Sequence, residues 1–567
     1  YGQVTEAVQK FFEKNIIPMP IYKFRFLFLV IFIFNFCSIE EKSLAKWVPY
    51  DETAELKENS KNSLKRLRFK RIQSKHQDKN SFFSPFKKEL LGFTKKEYEI
   101  LKPLILEKSI LEIQDNVQKD LLSYEKLCLF YLFRIYYFET NRDRYLNAII
   151  SLNPDVLDNA KQLDKKRKKQ INHPLYGIPI LIKDNIDALP MSTTAGSAAF
   201  KNNIPNNDSF LVKRLKEKGA LILGKVNLSE WAYYFCQNCP LGYSALGGQT
   251  LNPYGRKIFE TGGSSSGSGV AVAANYSVAA IGSETSGSIL SPSGKNSVVG
   301  LKPTIGSISR NGIIPISSSL DTAGPMAKSV MDTAILMNAL IGLDSNDEYS
   351  YDSNPIFYQG LDTVTLKGKS FGIFEKYEKD SLMKISLDLM RKAGAKIISF
   401  KAPEIELQNF IKLLDIDMKS DLPKYIKNST NRKLPFDSIK DIVNFNKMDS
   451  LLHAPYGQEN FTRLVEVNIS QNQFRKTKRE MMKLAKSYFM VIKNKNLDAV
   501  ISIDSKDAKF AALSHYPALG IPMGYKRSGQ PQNITFIAPS KKEQILLNIG
   551  AAYEKINPVR KIPDLFK

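Results

Sequence analysis

The sequence predicts an α/β fold in which a largely buried sheet is covered by helices. Three observations point to it. Short apolar runs of strand character alternate with amphipathic stretches of helical period. Gly, Pro and Asn/Asp clusters punctuate them at regular intervals from about residue 105 onward. The 567-residue chain is 43% hydrophobic and 24% charged, which is globular composition and argues against a disordered or multi-span membrane protein.

The front of the chain reads differently. Lys23 and Arg25 precede an apolar run, Phe26 to Phe36, and Cys37 follows. That run is too short for a spanning helix, which needs ~20 residues, and it fits a targeting segment over 1–37. Cys37 directly after it resembles a lipoprotein acylation site, although Phe36 stands where that motif has a small residue. Residues 38–104 are expected to form a basic tether. Lys57 to Lys88 holds eleven Lys/Arg against Glu58 and Asp78. Residues 105–567 are expected to form the folded domain. The expectation is an exported or membrane-anchored protein, with a cytoplasmic location as the alternative.

Along the domain, Asp120 to Phe138 is densely apolar without Pro or Gly, and predicts a buried helix. Tyr176 to Lys183 predicts a strand. Asp208 is placed to cap the helix that stops at Gly219, and Ala220 to Gly224 predicts the next strand. Asn227 with Glu230, and Ser540 with Glu543, have capping-box spacing. Ser329 opens a helix ending near Gly342.

Net charge is 81 − 57 = +24. No nucleic-acid motif accompanies it, so lysine-covered solvated faces are the favoured reading and no nucleic-acid partner is expected. The four cysteines include one lone CxxC, Cys236 to Cys239, and the four histidines have no metal spacing. No metal and no cofactor are expected.

Two Gly/Ser segments carry the chemistry. Thr261-Gly262-Gly263-Ser264-Ser265-Ser266-Gly267-Ser268-Gly269 precedes an apolar helix, and Ile281 to Ile289 (IGSETSGSI) follows an apolar strand. The first lacks the lysine of a phosphate-binding loop. Together they suggest a hydroxyl nucleophile surrounded by backbone N–H groups, which needs a base. No histidine is near in sequence. A lysine made neutral by burial can serve. Lys183, at the end of an apolar strand, is preferred over Lys225.

These blocks resemble the amidase signature hydrolases. The resemblance is carried by Tyr176-GIPILIKDNI-Asp187, Thr193-TAG-Ser197, Leu221-ILGKVNLSE-Trp231, Gly262-GSSSGSGVAVAAN-Tyr276, Ile281-GSETSGSILSPS-Gly294, Val299-GLKPT-Ile305 and Asp321-TAGPMA-Lys328, in the family's order. It covers roughly residues 105–560, poorly over 345–500, which are expected to form a variable helical cover shaping the substrate channel. It implies a single large domain with a mixed, twisted β-sheet covered by helices on both faces. It places the nucleophile at Ser288, the bridging serine, preceded in the family by a cis peptide, at Ser264, and the terminal base at Lys183. It puts the oxyanion hole on the backbone N–H groups of Thr285, Ser286, Gly287 and Ser288. Leu290 replaces the Arg that much of the family carries after this turn, which resembles the bacterial peptide amidase branch, as do Gly247-GQTLNP-Tyr254 and His453-APYGQEN-Phe461. Ser286 replaces the Asp usual there.

The resemblance implies an amide hydrolase whose substrate is a small-molecule or peptide amide, with C-terminal peptide amides first and fatty-acid or aryl amides second. A non-catalytic surface-anchored binding protein and an amidotransferase A-type subunit remain as alternatives. Cys236 and Cys239 read either as part of a rim loop or as a small disulfide formed after export.

Overall fold

A computed structural model describes residues 43–170, 172–430 and 434–567 of the chain. Its frame is an eleven-stranded sheet. In chain order the strands are β1 (Ile149–Leu152), β2 (Pro179–Lys183), β3 (Leu221–Val226), β4 (Ala279–Glu284), β5 (Val299–Lys302) and β6 (Thr322–Ala327), then β7 (Ser370–Phe374), β8 (Lys396–Phe400), β9 (Ala499–Ile503), β10 (Ala518–Tyr525) and β11 (Pro531–Ile537). Their spatial order is β1-β3-β2-β4-β6-β5-β10-β11-β9-β7-β8. The pairs β2/β3, β2/β4, β7/β8 and β7/β9 are parallel and the rest antiparallel, so the sheet is mixed as expected. Strands β2, β3, β4, β5 and β6 are buried at every residue. That is why they read as apolar runs rather than alternations.

The helices that frame the site are α1 (Lys95–Ile105), α2 (Ile110–Gln118), α3 (Tyr124–Glu139), α4 (Ser266–Ala273), α5 (Leu290–Lys295), α6 (Val330–Leu340), α7 (Phe410–Ser429), α8 (Glu459–Glu466), α9 (Gln471–Tyr488), α10 (Ala508–Ser514) and α11 (Glu543–Ile556). Helix α3 is the buried helix expected over 120–138, capped by Ser123. It buries ten of its sixteen residues, Arg134 included. That guanidinium donates to the Ala274 carbonyl at 2.9 Å and lies 4.8 Å from the Phe138 ring centroid, which offsets the cost of burying its charge. Ser329 caps α6 as expected. Helices lie on both faces of the sheet. A side chain at Gly550 of α11 would strike Leu519 and Ile521, whereas Gly520, between them on β10, looks toward Leu290 of α5. Successive strand residues point to opposite faces.

Several expectations need correction. Residues 46–104 are not a tether. Trp47, Leu67, Phe69, Ile72, Phe83, Phe86, Leu90, Phe93 and Tyr98 are all buried. The carbonyl of Ile72 accepts from Gln249 N at 2.8 Å and from Asn147 Nδ2 at 3.0 Å. Lys79 reaches Glu139 at 3.0 Å between the rings of Trp47 and Tyr145. The apolar residues here come singly among lysines, so they make one buried face without forming a visible apolar run.

The cap of the helix Phe210–Glu217 is Ser209, not Asp208, which instead accepts from Leu189 N and pairs with Lys216. Asn227 and Glu230 form no capping box. The Asn227 carboxamide ties Asn147 to the hairpin at Tyr243–Gln249, and Trp231, Ala232 and Tyr233 have φ of 51°, 54° and 75°, which ends any helix there. Ser540 donates to the His515 carbonyl and Glu543 accepts from Thr304 N, so α11 also lacks the expected box. The stretch 345–500 is not wholly a helical cover, because β7, β8 and part of β9 extend the sheet from it. Its helical part, α7 to α9 with Ile439–Met448, packs against Trp231, Phe235, Ile316 and Leu320 of the sheet region. The targeting segment 1–37 lies outside the described residues. Among those residues no helix is long and apolar enough to cross a membrane.

Candidate active site

Strand β4 ends at Glu284 and the chain turns sharply through Thr285-Ser286-Gly287-Ser288 into α5. Glu284 builds this turn. Its buried carboxylate accepts from the N–H groups of Gly287 at 2.6 Å, Ile289 at 2.7 Å and Leu290 at 3.1 Å. Gly287 sits at φ +87°, and a side chain there would also press on Ser505 at 3.1 Å, so the position needs glycine on two counts. Thr285 is held by its own hydroxyl, which donates to Asp321 at 2.5 Å. Asp321 also accepts from Ile316 N and Ser317 N, both at 2.8 Å, while burial pushes its carboxyl up to about 6.

The first Gly/Ser loop lies against this turn. Ser265 N donates to the Ser288 carbonyl at 3.1 Å. The Ser265 hydroxyl donates to the Ser283 carbonyl at 3.0 Å and accepts from Ser283 N at 3.1 Å. The Gly263–Ser264 peptide is cis. Ser264 is fully buried, with Ser229 N donating to its carbonyl at 3.0 Å.

Lys183, at the end of β2, points at the same place. Its Nζ donates to Ser264 Oγ at 2.8 Å, to Ser283 Oγ at 2.9 Å and to the Ser283 carbonyl at 3.2 Å. Complete burial brings its pKa down to about 7, against the opposing pull of Asp321 and Glu284. Near neutrality a substantial fraction is therefore an amine able to accept a proton. Ser288 is only half-buried. Its hydroxyl, and the N–H groups of Thr285, Ser286 and Ser288, carry no hydrogen bond among the described residues. Such groups can receive a substrate carbonyl whose oxygen gains charge.

The structure thus brings Lys183, Ser264 and Ser288 together and leaves Lys225 apart. Lys225 Nζ donates to Ile186 O, to Thr193 Oγ1 and, as an ion pair, to Asp184. Gly287 departs from the expected oxyanion set, because its N–H is taken by Glu284. Sequence reasoning missed Ser283, whose hydroxyl lies between Lys183 and the Asn185 carboxamide at 3.0 Å, and it missed the two carboxylates. Each had a signal: Ser283 and Glu284 are polar residues ending a buried strand, and Asp321 opens a conspicuous Gly/Pro block. Cys236 and Cys239 are paired as a disulfide. Among the described residues no group of three His, Cys, Asp or Glu side chains could hold a metal.

The amidase family model matches residues 135–547. The chain belongs to the amidase family. A protein of Arabidopsis thaliana named as a probable amidase is 36% identical over 439 residues, 74% of this chain and 84% of that one. The amidase family protein of Bacillus anthracis str. Ames has 35% identity and a TM-score of 0.83, covering 87% of this chain and 100% of that chain. The native peptide amidase of Stenotrophomonas maltophilia has 35% identity and a TM-score of 0.76, covering 81% and 98%. The relatives also include the A-type subunit of the glutamyl-tRNA(Gln) amidotransferase of Zymomonas mobilis, 29% identical over 73% of this chain and 91% of that one. This amidase is an amide hydrolase, and the helices and sheet described above are its family fold.

Proposed function

We propose that this amidase cleaves carboxamides through an acyl-enzyme on Ser288, and that C-terminal peptide amides are its substrates. The observation that carries the mechanism is the 2.8 Å contact between a wholly buried lysine amine and Ser264 Oγ. Neutral Lys183 takes the proton of Ser264 as Ser264 takes that of Ser288. Ser288 Oγ attacks the carbonyl carbon, and the oxyanion rests on the N–H groups of Thr285, Ser286 and Ser288. The proton returns from Ser264 to the leaving nitrogen as the C–N bond breaks, giving ammonia or an amine. Water then repeats the sequence on the ester and releases the carboxylate.

Two features support a peptide amide. Solved peptide amidases are similar along most of their length, and Leu290 puts an apolar side chain where an arginine would favour small acidic amides. The N-terminal Lys23–Ser38 segment supports anchoring at a membrane surface.

Labelling with a fluorophosphonate and mass mapping of the adduct tests the nucleophile. The adduct is expected on Ser288, with Ser288→Ala folded, unlabelled and reduced in turnover by several orders of magnitude. An adduct elsewhere, or near-normal turnover by Ser288→Ala, overturns the assignment in favour of another nucleophile, and a wild type with neither adduct nor turnover revives a non-catalytic role. Hydrolysis of peptide amides, read as ammonia, without hydrolysis of fatty-acid or aryl amides, read as the released carboxylate, supports the substrate choice, and the reverse preference rejects it.

A further inference from the structure

Ser505 lies in the turn that leads into α10, and Lys509 is the second residue of that helix. Ser505 and Ala508, just before Lys509, touch the nucleophile turn. A Cβ on Gly287 would lie 3.1 Å from Ser505 Cβ and 3.5 Å from Ala508 Cβ. Lys509 reaches the cover, where its Nζ sits 4.9 Å from the ring centroid of Phe410, the first residue of α7. Phe410 is buried in the apolar cluster that joins the cover to Trp231, Leu320 and Leu513. Lys509 therefore follows directly on a residue that packs on the nucleophile turn, at the seam between catalytic sheet and cover.

Its surroundings are unusual for a lysine. It is half-buried. It makes no ion pair and no hydrogen bond among the described residues, so the Phe410 ring is its one partner there. Burial alone pushes its ammonium below the usual lysine range, with no carboxylate acting in the opposite direction. Its neighbour Lys506 differs. It is exposed and lies over Tyr377, 5.1 Å from that ring's centroid. An ammonium has three donors, and an aromatic face satisfies it only in part.

We infer that Lys509 is a specificity residue that receives an anionic group of the substrate, a carboxylate carried several bonds from the scissile amide. The inference rests on the proposed amide hydrolysis at Ser288. It is consistent with Leu290, which leaves no cation two residues after Ser288, while Lys509 offers one farther along. The surplus of 81 basic over 57 acidic residues favours the approach of such substrates.

The test compares kcat/KM of the full chain on two matched pairs. One is an acetylated dipeptide amide with Glu or Met before the amidated residue. The other is an anilide whose acyl chain ends in a carboxylate or a methoxy group. Wild type is expected to favour the carboxylate member by about fivefold, through KM. Lys509→Met should bring the pair to parity by lowering only the charged substrate, and Lys509→Arg should keep the preference. Raising ionic strength should erode the wild-type preference, a measurement that stands if Lys509→Met does not fold. Equal rates for both members in the wild type, or a preference that survives Lys509→Met, overturns the inference. Turnover of the anilides alone rejects peptide amides as substrates and leaves Lys509 under test. No turnover of any of the four rejects both readings.

Discussion

The chemistry turns on the protonation of one amine. Lys183 donates to three oxygens and has no ion-pair partner among the described residues, so burial wins over the more distant pull of Asp321 and Glu284 and sets its pKa at about 7. The charged form cannot act as base. The sign follows: kcat/KM should climb as pH rises through about 7 and level off above it. Lys183→Ala should lose that ascending limb together with most activity. A rate profile that peaks in acid and falls through neutrality would assign the base to another group. Ser264, as the group that returns the proton, matters most when the leaving group is a poor one. Ser264→Ala should slow amides more than activated esters of the same acyl group. Equal losses on matched amide and ester substrates would remove it from the relay.

At the scale of the element, the site is a turn shaped by carboxylates. Glu284 collects three N–H groups that would otherwise be orphaned as β4 gives way to α5, and so fixes where Ser288 emerges. A carboxamide in its place has one acceptor oxygen and presents a donor where an acceptor is required. Glu284→Gln is therefore expected to lower kcat by at least ~10-fold with a smaller change in KM, since hydrogen bonds to charged groups contribute roughly 1.5–3 kcal/mol. Stopped assays on purified variant, with circular dichroism to verify the fold, decide it. An unchanged kcat would show that the turn holds itself.

For the whole molecule, the segment from Trp47 to Tyr98 is part of the fold. It covers α3, the β1 region and the Tyr243–Gln249 hairpin. It also reaches the cover, where Lys70 Nζ donates to Pro455 O at 2.9 Å and Lys70 N to the Tyr456 hydroxyl at 2.7 Å. Each buried Leu, Ile or Phe side chain contributes roughly 1.5–3 kcal/mol, and the segment holds several, against a net domain stability of only about 5–15 kcal/mol. A chain starting at Ile105 is expected to be insoluble or to melt far below the full chain in thermal unfolding. One that starts at Ser43 should match the full chain. Equal melting of the Ile105 chain would reduce the segment to an appendage. The full chain is expected in the membrane fraction of cells, and Cys37→Ser is expected to release it. Recovery of the wild type in the soluble fraction at low salt would reject the anchoring proposal.

The local signals in the sequence were enough for strands β2, β3 and β4 beside the site, the buried helix at 124–139, the Ser329 cap and Lys183 as the preferred base, whereas Ser264 and Ser288 came from the family resemblance. Buried parallel strands leave continuous apolar runs, and tight turns that need glycine leave Gly/Ser clusters, so both survive in one dimension. What only tertiary structure decided is where long-range partners go. Asn227 and Ser540 have the spacing of caps but are claimed by backbone groups on other elements. Gly287 looks like an oxyanion donor until Glu284 is seen to hold it. The lysine-rich arm looks like a tether because its apolar residues are spread along the chain and meet only on folding. Periodicity and turn chemistry record a residue's neighbours in sequence. Hydrogen-bond competition and the burial of scattered side chains depend on neighbours in space.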